Sequence, residues 1–157
     1  MRKMSKKERI MAALKGEEVD RIPFSIWYHV PHADQDPVHL AEVQIQQAYL
    51  YDLDFIKMMP FGNYSAHDFG LSCTFYCTRT QPVLERKFAI DSPKEWIELE
   101  PLPGYFGSHG KQLQFAKELK KQLKGVEIPY IQTVFSPLTT AKKLAGNRVF
   151  DDMRAYP

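Results

Sequence analysis

Three short runs rich in aromatic and β-branched residues alternate with helical stretches, and this alternation constrains the fold more than any other feature. Phe24–His29, Phe55–Met59 and Pro129–Phe135 each read as a strand. Around them the periodicity changes to three and four. Ser5 and Glu8 have capping-box spacing, Ile10, Ala13 and Leu14 share one helical face, and Gly16 is a stop. Asp36-Pro37 opens a helix over about 38–51 with Val38, Ala41, Ile45 and Ala48 as its stripe. A longer helix over about 109–124 carries Leu113, Ala116, Leu119 and Leu123 on one side and lysines on the other. Ser136-Pro137 begins another helix running to Gly146, and a last one starts near Arg148. Strand and helix in repeated succession predict an α/β fold with a parallel sheet built from βα units. Between the second and third strands, Thr74–Tyr76 and Val83–Ile90 predict an inserted β-hairpin, followed by a short helix capped at Ser92-Pro93.

At 157 residues the chain has the length of one domain. Its 21 basic and 19 acidic residues give a net charge of +2, which excludes the strongly basic surface of a dedicated nucleic-acid binder. With 44% hydrophobic residues there is enough apolar bulk for a core, yet no run approaches the roughly 18 residues of a membrane helix. The basic N-terminus lacks the apolar centre of a secretory signal, so a cytoplasmic location is expected.

Further stretches carry a family resemblance. Glu8–Gly16 followed by Asp20-Arg21-Ile22-Pro23 resembles the opening of the uroporphyrinogen decarboxylase family, which also contains the corrinoid-dependent methyltransferases. Tyr51–Ile56 running on to Asp68–Gly70, and Phe135–Ala141 with Leu144-Ala145-Gly146, resemble later parts of that family in the same order. The resemblance implies a (β/α)8 TIM barrel whose site lies at the C-terminal ends of the strands. A whole barrel takes about 250 residues. Residues 1–157 are therefore expected to form a single partial domain, the N-terminal segment of a barrel with about three of its strands. A natural truncation, a cloned fragment and a split gene all fit that expectation.

Barrel geometry nominates the site residues. His29 ends the first strand and is expected to line the pocket. The loop behind it holds His32, Asp34, Asp36 and His39, a spacing open to a divalent metal; Asp36 is already explained as a helix cap, and loop polarity accounts for the others, so no metal site is expected. Asn63 and Tyr64 follow the second strand, Asp68 precedes Phe69-Gly70, and Ser136 sits where helix amides can meet an anion. His29, His32, Asn63, Tyr64, Asp68 and Ser136 are the expected substrate-binding set, with no catalytic residue assigned. Lys57 is expected to pair with Asp54. Cys73 and Cys77, about 13 Å apart on an extended strand, are too distant for one zinc and read as structural.

The resemblance also implies a choice of chemistry. Uroporphyrinogen decarboxylase places arginines after the first strand to hold a polyacidic tetrapyrrole. From Ile22 to Ile56 this chain has no lysine or arginine, whereas Asp34, Asp36, Glu42, Asp52 and Asp54 fall inside the span. Several carboxylates cannot be desolvated there without cations. The expectation is therefore methyl transfer to a thiol or corrinoid partner by the intact protein. Zinc and corrinoid are implied for that intact form, the zinc held by a His-Cys-Cys set in the second half of the barrel, and no cofactor is expected in this chain alone. Porphyrinogen decarboxylation is the alternative. A non-catalytic subunit that self-associates or pairs with a complementary half-barrel is a third reading, of a different class.

Overall fold

The Ser5–Glu8 spacing sets the first helix. In the computed structural model, which describes residues 2–157, α1 spans Lys6–Lys15. Its box closes both ways, with the Glu8 amide donating to Ser5 Oγ at 3.2 Å and the Ser5 amide to the Glu8 carboxylate at 2.8 Å. Gly16 ends it in the left-handed region at φ +73°. Helix α2 (Pro37–Leu50) starts as expected, because Asp36 accepts from the Val38 and His39 amides. Its buried face is Leu40, Ala41, Gln44 and Ala48; of the expected stripe, Ala41 and Ala48 are buried and Ile45 packs against the core, while Val38 is exposed.

Strand β1 (Ile56–Met58) pairs in parallel with β4 (Tyr130–Gln132), Ile56 lying opposite Tyr130 and Met58 opposite Gln132. The expected first strand, Phe24–His29, forms no ladder. Side chains occupy the backbone groups that a ladder would use: the Phe24 amide donates to Asp54 Oδ2 at 2.9 Å, and Ser25 Oγ donates to the Phe55 carbonyl at 2.7 Å. One backbone bond, from the Asp54 amide to the Phe24 carbonyl, still holds this segment beside β1. Gln44 ends β1 in the same manner, since its amide takes both the N–H and the carbonyl of Met59.

Short α3 (Tyr64–His67) follows β1 where a loop was expected. β2 (Ser72–Thr74) then pairs antiparallel with β3 (Leu84–Lys87), with an irregular register at Ser72/Cys73. Ala89 and Ile90 leave that pairing and donate to the Leu144 carbonyl. A 3-10 turn at Pro93–Trp96 precedes α4 (Gly107–Gln122), and α5 (Pro137–Ala145) and α6 (Arg148–Ala155) complete the chain. One core packs α2 and α4 against Ile56 and Met58 of β1, with Phe115 and Leu119 fully buried. A second joins Leu71 and Ile90 to Leu144, Ala145 and Val149. Because Ile56 and Met58 face the helices, the pleat turns Lys57 to the other side of the sheet. Its ammonium lies 4.1 Å from the centre of the Trp27 ring. The expected Lys57–Asp54 pair is thus replaced.

Asp54 instead belongs to a network at the N-terminal end of β1. Arg9 Nη1 donates to Asp54 Oδ1 at 2.5 Å, and Arg9 Nε and Nη2 clamp both oxygens of Asp20 at 2.6 and 2.9 Å. Arg21 donates to Asp54 at 2.5 and 3.0 Å. The Asp20-Arg21-Ile22-Pro23 stretch therefore ties α1 to β1. Hydrogen bonds from Arg9 and the Met4 amide hold the Asp20 carboxyl far below the usual carboxylate range.

A pH dependence follows. Lys6 lowers Asp52, the Ser5 amide and Arg2 lower Glu8, and the Asp91 and Ser92 amides lower Glu95 in the same direction as Asp20. A carboxyl depressed in the folded state stabilises the fold above its unfolded pKa, and that contribution is lost as pH falls through the folded value. Asp34, raised by burial, opposes them alone. The urea midpoint is expected to fall between pH 6 and about pH 3; an equal or higher midpoint in acid contradicts this account.

Candidate functional site

Parallel strands deliver their following loops to one edge of the sheet. Here that edge collects His29, the Met59–Asn63 turn after β1 and the Thr133–Ser136 turn after β4. His29 Nδ1 lies 2.9 Å from the Pro60 carbonyl. A carbonyl only accepts, so Nδ1 carries the proton and the neutral ring keeps its lone pair on Nε2. His29, Asp34, Phe61, Gly62, Asn63 and Glu85 surround a cavity of about 220 Å³ open to solvent.

Asn63 is buried and its Oδ1 accepts from Lys143 Nζ at 3.0 Å. The Lys143 ammonium also lies 5.0 Å from the Phe135 ring, and burial lowers its pKa. It forms no ion pair among the described residues. Sequence reasoning missed Lys143, because its partner is 80 positions away. It also left Asp34 out of the binding set, although this carboxylate is 4% exposed and lines the cavity.

The other nominated residues are engaged elsewhere. Tyr64 donates its hydroxyl to the Thr133 carbonyl at 3.1 Å, joining the loops after β1 and β4. His32 makes an edge contact with His39, their ring centres 5.8 Å apart, away from the cavity lining. Ser136 caps α5 by accepting from the Thr139 amide at 3.1 Å. Asp68 accepts from the Ser108 and His109 amides at 2.8 and 3.1 Å and from His109 Nδ1 at 3.1 Å, so it caps α4 from another part of the chain. Burial pushes its carboxyl up, but the Ser108 amide and His109 overcome this and leave it below its ordinary value.

The Asp68 cap requires Gly107. That residue has φ +46°, and a Cβ there would sit 2.2 Å from Asp68 Oδ1. Asp68→Ala is expected to cost about 1–2 kcal/mol as a lost cap, and Gly107→Ala about 1–3 kcal/mol through strain and collision. The double variant should cost less than the two together, because the collision disappears with the carboxylate. Additive urea-unfolding energies would refute the shared contact.

Among the described residues no three His, Cys, Asp or Glu side chains converge as metal donors, and Cys73 and Cys77 are free thiols. A zinc ion of the kind the resemblance implies does not fit this donor set; its ligands would have to come from elsewhere.

A methyltransferase from Methanosarcina mazei superposes with a TM-score of 0.75 at 18% identity, covering 95% of this chain and 48% of its own. That likeness shows a shared fold, and the chain spans about half the length of that enzyme. No curated protein matches in sequence. The family model described as uroporphyrinogen decarboxylase (URO-D) matches residues 5–157. With nearly every described residue inside that match, the chain belongs to the uroporphyrinogen decarboxylase family.

Proposed function

We propose that this chain supplies part of the substrate face of a methyl-transferring member of the family, where a thiol acceptor meets a corrinoid-bound methyl group. One observation carries the reading: the arginines nearest the first extended segment are held at the wrong end of β1 for carboxylate recognition. Arg9 and Arg21 bind Asp20 and Asp54 before β1 begins, whereas His29 and the cavity lie beyond its other end. The cavity itself presents Asp34 and Glu85, with Lys143 as a nearby ammonium behind Asn63. Burying several substrate carboxylates there would leave them short of charged donors.

In this reading the corrinoid brings the methyl group. The chain's own residues bind and orient: Trp27 and Lys57 form an amphipathic patch on the sheet face opposite the helices, and Tyr64 fixes the two strand-end loops relative to each other. Porphyrinogen decarboxylation remains the competing reading, and one titration separates the two. Methylcobalamin is expected to quench Trp27 fluorescence saturably after absorbance correction, and Trp27→Phe should abolish the effect. Uroporphyrin should give no saturable change. Saturable uroporphyrin binding without a methylcobalamin response would favour the decarboxylase and overturn the proposal.

A further inference from the structure

We propose that the cavity beyond β1 binds a small alkylammonium group, with buried Asp34 and solvent-facing Glu85 as its counter-charges. The proposal concerns the charge of the ligand and holds whichever reaction the intact protein carries out. Three separate parts of the chain wall the cavity: His29 to Asp34, Phe61 to Asn63, and Pro82 to Glu85 at the start of the inserted hairpin. No lysine or arginine lines it, and both of its carboxylates lack an ion pair among the described residues. The cations nearby are committed to neutral partners, Lys143 to Asn63 Oδ1 and Lys111 to Gln35 Oε1.

Asp34 is the residue that asks for a ligand. It is 4% exposed, and its Oδ1 accepts from Gln35 Nε2 at 3.0 Å. Its other oxygen receives no hydrogen bond from any described residue. That oxygen is not sealed in, because among the described residues Gln112 Oε1 is the one unpartnered side-chain atom cut off from solvent. A carboxylate so far out of water gains from a cation seated beside it, and burial already raises its carboxyl. A metal ion does not fit, since His29, Asp34 and Glu85 do not converge as metal donors. An ammonium tolerates wider spacing, because its three N–H donors point apart. Its alkyl chain has Pro31, Pro82 and Val83 to lie against. At about 220 Å³ the cavity is smaller than the roughly 300–1,000 Å³ of drug-sized sites, which keeps that chain short.

Propylammonium chloride titrated into the full chain tests this, read at the Gly62 and Asn63 backbone amides by NMR. Both signals should shift saturably. Asp34→Asn keeps the side-chain shape and should weaken binding about tenfold, as for a hydrogen bond to a charged group. Glu85→Gln, at an exposed position, should weaken it about two- to threefold. No saturable shift, or an unchanged affinity in Asp34→Asn, overturns the site. If Asp34→Asn gives the spectrum of an unfolded chain, Glu85→Gln decides, and an unchanged affinity there overturns the site. An equal response to 1-propanol, or to potassium or magnesium chloride at matched ionic strength, overturns the alkylammonium class. Methylcobalamin quenching at Trp27 tests the methyl-transfer reading by a different signal and ligand, so either proposal can fail without the other.

Discussion

Asp54→Ala is expected to bring the chain to the edge of unfolding. Asp54 is 0% exposed and receives Arg9, Arg21 and the Phe24 amide at once. Truncation leaves the Arg9 guanidinium, 3% exposed, with Asp20 as its one remaining carboxylate, removes the buried partner of Arg21, and strands the Phe24 amide. Breaking a buried ion pair from one side costs about 3–5 kcal/mol, against a whole-domain stability of about 5–15 kcal/mol. The effect also has a local signature. Asp54 holds the start of the Phe24–His29 segment to β1, so Trp27 should separate from Lys57 and its emission should move to the red. Arg21→Gln should cost less, because Arg21 is partly exposed and Arg9 keeps Asp54 paired. Urea unfolding followed by tryptophan emission measures both. An Asp54→Ala protein within about 0.5 kcal/mol of the parent, a change typical of neutral surface sites, would show that the network does not carry the fold.

That network also marks where sequence reasoning stops. The caps at Ser5, Asp36 and Ser136 are legible because donor and acceptor are two or three residues apart. Phe24–His29 has the composition of a strand, but its pairing is decided by the Asp54 side chain 30 residues away. Asp68 presents a related difficulty. Read locally it is an acid at a turn, whereas its partners are the amides of Ser108 and His109. One signal was available: α4 begins after Phe106, which cannot cap a helix with its side chain, so the cap must come from elsewhere. The long helix was placed correctly, but Leu113 on its expected stripe is largely exposed and Phe115 fills the core. Leu119 and Leu123 of that stripe are buried and Ala116 packs beside them, with Phe115 joining them in the core. Asn63 follows β1, so its place is readable from strand order, whereas His29 reaches the same edge through its bond to the Pro60 carbonyl, its own segment forming no ladder. Asp34 and Lys143 reach the same region through tertiary contacts that no local pattern encodes.

The chain is expected to associate with a second copy of itself at micromolar concentration. An apolar groove of about 710 Å³ between the Pro93–Trp96 turn, α5 and α6 is lined by Trp96, Ile97, Leu138, Ala141, Val149 and Met153. Ile97 is 87% exposed and Met153 54%. On the sheet, β4 pairs only with β1 among the described residues, leaving its other edge as a template for a further strand. Apolar patches of this kind on a soluble chain drive association, and each large side chain removed from water contributes roughly 1.5–3 kcal/mol. In a closed barrel such an edge meets the next strand, and a second copy in solution can supply one. Sedimentation velocity should show dimers or larger species that shift towards monomer in the Ile97→Glu, Met153→Glu double variant. Those substitutions lie on the open groove, away from the Asp54 network, so a folded and more soluble monomer is the expected result. A parent chain that stays monomeric when concentrated, and unfolds cooperatively, would show that the groove and the strand edge are stable in water without a partner.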